Sequence, residues 1–439
     1  MKNKFSISFI VLALSAMIIT GCTVEYPNPN AATKDEVLKS ADGLMGLAVG
    51  MKTSWTVGGA SGLFSLVVSN GLTTQELVVL NTGNTTLAAL EAGKGSLNGA
   101  NSTMANLWTS GNLVKSYAQL LIDNAGVVGD AGTRSGVESY GLFFKALSIG
   151  TLGQFWEQVT TQVITSADYI NGGRPAFKSR VATLEEAVGY LRQAESKMAQ
   201  NPVSAAFYAK VGRDIDLPSA TQALIARYSL MLNKLDEASA AADKAIAANV
   251  VSSFKFDVVN QNPVFRSGLV SNNVVGGALN FGLKGSLAPA ATDGRIAFYL
   301  GGTTLSRATG FFKGDLDAIP VYLPGEMILI KAEVNARKNN LPDAITELNK
   351  ILTKTTDPLG VTARLPAYSG ANTQTAILLE IYRQRCIELY MSGLKLEDNR
   401  RFGRPGPLDA SFERNRNFYP YPNVERDNNS ANTPKDPDV

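Results

Sequence analysis

The residue types that most enzymes use for proton transfer and covalent catalysis are scarce in this chain. Its 439 residues include no histidine and only two cysteines, Cys22 and Cys386. Without histidine, a Ser-His-Asp triad, a Cys-His pair and a histidine-bearing zinc site are all excluded. Two cysteines are too few for a cysteine-only zinc site. We therefore expect no catalytic residues, no bound metal and no cofactor.

The remaining reactive groups, one thiol and many carboxylates, do not single out a catalytic site. Cys386 lies on an apolar stripe with helical spacing that includes Tyr382 and Leu389, so we interpret it as a buried thiol that packs as a small hydrophobe. The 38 aspartate and glutamate residues could include a glycosidase pair, but no pair stands out by its spacing. A glycoside hydrolase is therefore kept as an alternative class.

Other residues suit the binding of a sugar without any reaction. Saccharides need flat apolar faces for their C–H surfaces, and amides or carboxylates for their hydroxyl groups. Trp108 and Trp156 lie within helical patterns and are expected in the core. The candidate ligand-binding residues are Trp55, Asn70, Thr74, Glu76, Tyr299, Phe311 and Phe312.

Each group of candidates also has a plain structural interpretation. Trp55 stands at a predicted helix end beside two glycines, where it is either an exposed platform or part of the core. The polar residues from Asn70 to Glu76 either contact ligand or form a solvated helix end. The aromatic residues at 299, 311 and 312 lie in a glycine-rich region, where they either contact ligand or cover the helices beneath.

The beginning of the chain predicts a compartment. Lys2 and Lys4 precede an uncharged, largely apolar run over residues 5–20, which suits a secretory signal peptide. The run ends in Ile19-Thr20-Gly21-Cys22, which resembles a bacterial lipobox. We predict that residues 1–21 are removed and that Cys22 carries the lipid that tethers the protein to a membrane; the alternative is a plain signal peptide with an incidental cysteine. No later stretch is long and apolar enough to predict a transmembrane helix.

Helical patterns dominate the rest of the chain, so we predict a mostly α fold for a single unit over residues 22–439. A helical-repeat scaffold is expected over residues 183–250 and 320–403. Residues 57–103 and 251–318 are rich in small and polar residues such as Gly and Asn and are expected to be loop-rich, although the part of the first region around residues 63–80 also fits a helix. The formal charge is +3 without a basic block, which argues against a nucleic-acid partner.

An internal repeat supports the scaffold. Residues 223–246 align with residues 329–352 at a constant offset, so that Ala226 matches Ala332 and Ala238 matches Ala344. Each copy predicts a helix, a short turn and a second helix, with a small alanine where the two helices approach. Such helix pairs stack on their neighbours, as in tetratricopeptide repeats.

The order of several motifs resembles the SusD/RagB-like outer-membrane lipoproteins of Bacteroidetes. The segment IPVYLPGEMILIKAEVNARKNN (319–340) and the run IELYMSGLKLEDNRRFGR (387–404) look like two characteristic family segments. In the second run Ser392 replaces a usual glutamate, and Glu397 replaces a usual aromatic residue. Carboxylates and arginines of this run, such as Asp398 and Arg401, suit structural ion pairs rather than catalysis.

The resemblance implies a role rather than a reaction. Such proteins bind an oligosaccharide, or in some members a peptide, at the cell surface. They deliver it to a SusC-like TonB-dependent transporter. The resemblance also implies that helices form the scaffold and that the loops between them carry the ligand site. A helical-repeat adaptor that recruits other proteins is the alternative to a nutrient-binding protein.

Overall fold

The computed structural model describes residues 34–270, 274–302 and 306–439. The predicted signal peptide and Cys22 lie outside these residues. The chain is mostly helical, which confirms the predicted fold class. Within the described ranges, no helix combines the length and the hydropathy needed to cross a membrane.

The α-helices in chain order are α1 (Lys34–Leu38), α2 (Ala41–Thr56), α3 (Gly62–Thr73), α4 (Thr85–Ala92), α5 (Ser102–Asn124), α6 (Ala131–Phe155), α7 (Ser166–Ile170), α8 (Arg180–Gln200), α9 (Ala205–Val211), α10 (Leu217–Met231), α11 (Leu235–Ala248), α12 (Gly294–Leu300), α13 (Pro324–Arg337), α14 (Leu341–Leu352), α15 (Gln374–Glu388), α16 (Lys395–Arg401) and α17 (Asn423–Asn428). Short 3-10 turns and a π-helical segment, Val264–Val270, lie between them.

The long helices pack into one continuous array. Helix α6 packs against both α5 and α8, α8 contacts α10, and the pairs α10/α11 and α13/α14 follow side by side. Asp130, Asp216 and Thr373 cap α6, α10 and α15 with side-chain oxygens that accept hydrogen bonds from backbone N–H groups of the first turn. The array buries one large apolar core and a smaller apolar cluster between α13, α14 and α15.

The internal repeat is present in three dimensions. The α10/α11 and α13/α14 pairs turn at Asn233 and Asn339, which occupy equivalent positions and have φ of 57° and 60°. Asparagine tolerates this left-handed conformation better than most residues. The matched alanines Ala238 and Ala344 are both fully buried, as the close helix approach requires.

Two predicted helix boundaries are wrong. The capping-box-like run Thr183-Leu184-Glu185-Glu186 predicts a helix start at Thr183. Helix α8 instead begins three residues earlier, at Arg180, with Ser179 as its cap. The apolar helical spacing of residues 376–393 predicts a helix that continues to Gly393. Helix α15 instead ends at Glu388, because Met391 and Gly393 have φ of 57° and 82°. A Cβ on Gly393 would lie 2.6 Å from the Leu66 side chain, so this break depends on glycine.

Three small antiparallel sheets connect distant parts of the chain. Strand β1 (Leu77–Val79) pairs with β5 (Val275–Gly277), with Leu77 opposite Gly277. Strand β2 (Gln158–Thr160) pairs with β3 (Phe177–Ser179), and β4 (Ser253–Phe254) pairs with β6 (Ile319–Pro320). The β1–β5 pair therefore joins the two loop-rich regions.

A buried ion-pair network fixes residues 387–404, the second family-like run, against α13. Arg401 donates from Nε and Nη2 to Glu333 at 2.8 and 2.9 Å, and Arg385 donates to Asp398 at 2.9 and 3.0 Å. Burial alone would raise the pKa of Glu333, but the arginines around it, Arg401 first, lower it to about 2. These arginine–carboxylate pairs agree with the structural role expected for them.

Candidate functional site

An open cleft of about 400 Å³ lies between the two loop-rich regions. This volume falls within the range typical of small-ligand sites. Its walls come from the end of α3, strand β1, the end of α4, the turn after β5 and the C-terminal segment. The lining residues include Leu72, Gln75, Leu77, Glu91, Leu279 and Phe412.

The turn that forms one wall of the cleft is held close to β1. Gly282 has φ of +69°, and a Cβ there would lie 2.0 Å from the carbonyl oxygen of Gln75, so no other residue fits without moving the backbone. The Phe281 ring is buried beside Tyr390, with ring centroids 4.9 Å apart. Leu279, by contrast, is left 65% exposed at the edge of the cleft. The buried Phe281 ring thus anchors a turn that exposes the Leu279 side chain to solvent.

Phe412 supplies a flat apolar face on the other side. Its ring is half-buried, and the Nζ atoms of Lys94 and Lys284 lie 4.8 and 5.8 Å from the ring centroid. The side-chain amide of Gln75 donates to the Phe412 carbonyl oxygen at 3.3 Å and ties this segment to the start of β1. The ring is therefore positioned by both polar and cation–π contacts.

The cleft also offers polar groups with unused hydrogen-bonding capacity. Glu91 Oε1 accepts a hydrogen bond from the Val79 N–H at 2.9 Å, while its Oε2 has no hydrogen bond within the described residues. Lys284 is exposed at the rim. An aromatic ring, aliphatic walls, an amide, a carboxylate and an ammonium group together suit a ligand with both C–H faces and hydroxyl or amide groups.

Comparison with known proteins identifies the architecture. No family model matches the sequence, and no curated protein matches it either. Among solved structures, a SusD superfamily protein from Bacteroides fragilis is 16% identical, with 90% of this chain and 99% of that chain covered and a TM-score of 0.68. A SusD-like carbohydrate-binding protein from Bacteroides vulgatus is 15% identical, with 83% of this chain and 84% of that chain covered and a TM-score of 0.64. A SusD/RagB family protein from Bacteroides thetaiotaomicron is 16% identical, with 89% of this chain and 94% of that chain covered and a TM-score of 0.55.

The protein has the SusD-like fold. The resemblance noted in the sequence motifs thus extends to the arrangement of the helices. At these identities the likeness concerns the fold, and the ligand has to be argued from the cleft itself.

Within the SusD-like fold, three of the predicted ligand-binding residues form one buried unit. Asn70 donates from Nδ2 to Glu76 Oε2 at 2.9 Å, and its Oδ1 accepts from the Leu396 N–H at 3.0 Å. Thr74 donates from its hydroxyl to the Asn70 carbonyl oxygen at 2.8 Å. All three side chains are fully or almost fully buried, so the solvated helix end considered for them is wrong. They support the floor beneath the cleft rather than its surface.

The Glu76 carboxyl is the least expected group in this unit. Burial raises its pKa to about 7, against the lowering effect of Lys395. Its backbone carbonyl oxygen accepts hydrogen bonds from the Ala278 N–H at 2.8 Å and from the Tyr390 hydroxyl at 2.9 Å. Glu76 therefore connects α3, the turn after β5 and the second family-like run.

The predicted aromatic residues form a second buried group. The Tyr299 ring contacts Phe311 at a centroid distance of 6.0 Å, and its hydroxyl donates to the Glu388 carbonyl oxygen at 2.9 Å. Phe311 and Phe312 are also buried, so these rings cover the helices beneath them. Tyr390 lies between this group and Glu76, since its ring centroid is 5.5 Å from that of Tyr299.

Trp55 belongs to neither group. It is 1% exposed on α2, and Gly62 packs so closely that a Cβ there would lie 2.2 Å from the indole ring. The exposed platform considered for Trp55 is therefore not what the structure shows. With all seven candidates buried, direct ligand contact by them stays a prediction that would require the site to open.

The cleft residues Glu91, Lys284 and Phe412 were missed by sequence reasoning. Gln75 was recognised only as part of a polar cluster. Phe412 follows a proline-containing stretch of the tail, and nothing in its neighbourhood signals that it meets residues more than 300 positions earlier. In the described residues, no group of three histidine, cysteine, aspartate or glutamate side chains is placed to hold a metal ion.

Proposed function

We propose that this protein is a cell-surface nutrient-binding lipoprotein of the SusD/RagB-like family. It captures an oligosaccharide, or alternatively a peptide, in the cleft bounded by Gln75, Glu91, Leu279 and Phe412. It then delivers the ligand to a SusC-like TonB-dependent transporter in the outer membrane. The single observation that carries the proposal is the half-buried Phe412 ring that lines the cleft beside the Glu91 carboxylate and the Lys284 ammonium group, within a SusD-like fold.

The chemistry of the cleft favours binding over hydrolysis. Glycosidases use two carboxyl groups on either side of the scissile bond, about 5–9.5 Å apart. Glu91 is the one carboxylate among the described residues that line the cleft. The carboxylates Glu333, Glu388 and Asp398 are buried and each is held by an arginine or a lysine. We therefore propose that the ligand leaves unchanged.

The adaptor alternative has a different signature. A protein that only recruits other proteins through its helical repeat has no need of a concave site with an aromatic face and free polar atoms. Calorimetry against a panel of neutral oligosaccharides and short peptides, followed by mass analysis of the mixtures, separates the classes. Heat without cleavage supports the nutrient-binding proposal, cleaved products support the hydrolase, and absence of heat across the panel supports the adaptor.

Modest affinity suits this role, because the ligand must be released to a transporter. We expect dissociation constants in the micromolar to millimolar range, about −8 to −4 kcal/mol. The anchor is tested separately through Cys22. The Cys22→Ala variant should appear in soluble fractions, and its retention with the outer membrane after a salt wash would refute the lipid anchor.

A further inference from the structure

A second pocket lies on the other side of the second family-like run, outside the cleft. It is an open pocket of about 330 Å³ between the end of α13, the start of α15 and the end of α16. Leu378, Leu379, Tyr382 and Phe402 form its apolar walls. Three guanidinium groups complete it, those of Arg337, Arg401 and Arg404.

The protein uses only some of the hydrogen-bond donors of these three arginines. Each donates from Nε and Nη2 to carboxylate or carbonyl oxygens beneath the pocket: Arg337 to Glu333, Arg401 to Glu333 and Asp398, and Arg404 to Glu413. Across the described chain, no hydrogen bond involves Nη1 of any of the three. Each arginine is thus fixed through one edge of its guanidinium group, while its Nη1 has no hydrogen-bond partner among the described residues.

The charge balance around the pocket is positive. Four guanidinium groups, those of Arg337, Arg385, Arg401 and Arg404, face three carboxylates, Glu333, Asp398 and Glu413. No carboxylate stands among the described residues that line the pocket itself. Arg385 is buried, and its Nη1 has no hydrogen-bond partner in the part of the chain that the structure describes. A concave surface with this excess of positive charge attracts an anion.

The aromatic rings orient the positive groups as well as form the walls. The Arg337 and Arg401 guanidinium carbons each lie 5.3 Å from the Phe402 ring centroid, and that of Arg404 lies 5.0 Å from the Tyr382 ring centroid. These cation–π contacts restrict where the guanidinium groups lie. Guanidinium groups held in place suit the two-oxygen geometry of a carboxylate.

We propose that this pocket binds a carboxylate-bearing small molecule, with the carboxylate at the arginine Nη1 groups and an apolar ring or sugar face against Phe402 and Leu379. The pocket is distinct from the cleft, and the proposal stands or falls independently of the nutrient-binding role. It adds an acidic ligand to a protein whose cleft is suited to neutral ones.

The test uses calorimetry on the full-length protein with benzoate and glucuronate as probes. Benzamide and glucose are their uncharged counterparts. Binding of benzoate, of glucuronate or of both, at least about tenfold tighter than the uncharged counterpart, supports the proposal. The two probes distinguish an aromatic from a saccharide body. Equal affinity for charged and uncharged probes, or no binding of either carboxylate, overturns it.

Two variants locate the site. Arg404→Gln should lower the affinity at least about tenfold, because it removes one charged donor. Arg213→Gln is its matched control, since that exposed guanidinium also stacks over a tyrosine, at 4.5 Å from the Tyr208 ring centroid. Leu379→Glu places a negative charge at the mouth without breaking any ion pair, because Leu379 is 39% exposed. It should abolish binding at an unchanged melting temperature; carboxylate binding that survives in both pocket variants overturns the proposal.

Discussion

The hydroxyl group of Tyr390 donates a hydrogen bond of 2.9 Å to the backbone carbonyl oxygen of Glu76, across 314 positions of sequence. Both residues are buried. This bond connects the second family-like run to the residue that precedes β1, a strand that lines the cleft. The second family-like run therefore supports the cleft from beneath its lining.

The Tyr390→Phe substitution should lower the free energy of unfolding by about 1 kcal/mol, since it removes one buried hydrogen bond and preserves the ring. Urea unfolding measures the change. Tyr368→Phe is a matched control, because the Tyr368 hydroxyl donates to the Ala371 carbonyl oxygen at 3.0 Å in an exposed loop. A loss for Tyr390→Phe no larger than that for Tyr368→Phe would show that the connection to Glu76 contributes nothing.

Glu76 should make stability depend on pH. Burial raises its pKa in the folded state to about 7, from 4.5 in the unfolded chain, so the folded protein favours the protonated form. The stabilisation of the folded state that follows from this raised pKa is fully present below pH 4.5 and is lost as the pH rises through 7. The Glu76→Gln variant lacks this dependence. Relative to wild type it should gain stability between pH 5 and pH 8, by up to about 3 kcal/mol.

Thermal melts at several pH values measure this difference. Glu185→Gln, at an exposed position on α8, controls for the substitution itself. If the wild-type and Glu76→Gln curves run parallel from pH 5 to pH 8, the carboxyl of Glu76 is not the titrating group described above.

Arg401 should matter for stability more than for binding of the nutrient. Arg401→Ala leaves the fully buried Glu333 without its strongest partner, which costs about 3–5 kcal/mol for a broken buried ion pair. The pKa of Glu333 is lowered to about 2, so this stabilisation is present above pH 4.5 and is lost as the pH falls towards 2. Urea unfolding at pH 7 and pH 3 should show the larger loss at pH 7. Normal stability with abolished nutrient binding would instead place Arg401 in the ligand site.

Ala344 tests the repeat scaffold. Ala344→Phe should lower the free energy of unfolding by about 1–3 kcal/mol, because the larger ring forces α13 and α14 apart where Ala344 is fully buried. Thr346→Phe on the exposed face of the same helix should have little effect. Equal melting temperatures for the two variants would mean that the helix pair is packed differently.

The scaffold was the part of the fold that the sequence could predict, because local signals determine it. The constant offset aligning Ala238 with Ala344 gave both helix pairs, and the turns at Asn233 and Asn339 fall where the repeat requires them. The end of α15 was mispredicted because the apolar pattern continues past Met391 although its φ of 57° is not helical. That conformation is stabilised by distant contacts, including the hydrogen bond from the Met391 N–H to Glu76.

The cleft could not be predicted for the same reason. Its lining comes from three separate regions of the chain, and the contact between Gln75 and Phe412 spans 337 positions. Residue type alone also gave the wrong burial for Asn70, Thr74 and Glu76. Their polarity is typical of surface residues, but they are buried and form hydrogen bonds with one another. Polarity predicts exposure only where no buried partner is available.

The most direct measurement compares ligand affinity in Phe412→Ala and Phe265→Ala by calorimetry, using the oligosaccharide or peptide that binds wild type best. Both rings are half-buried, but Phe265 lies on the π-helical segment, outside the cleft lining. We predict that Phe412→Ala weakens binding at least about tenfold, that Phe265→Ala leaves it unchanged, and that the ligand mass is the same before and after. Equal affinities of the two variants, or a cleaved ligand, would contradict the account of this cleft as a nutrient-binding site.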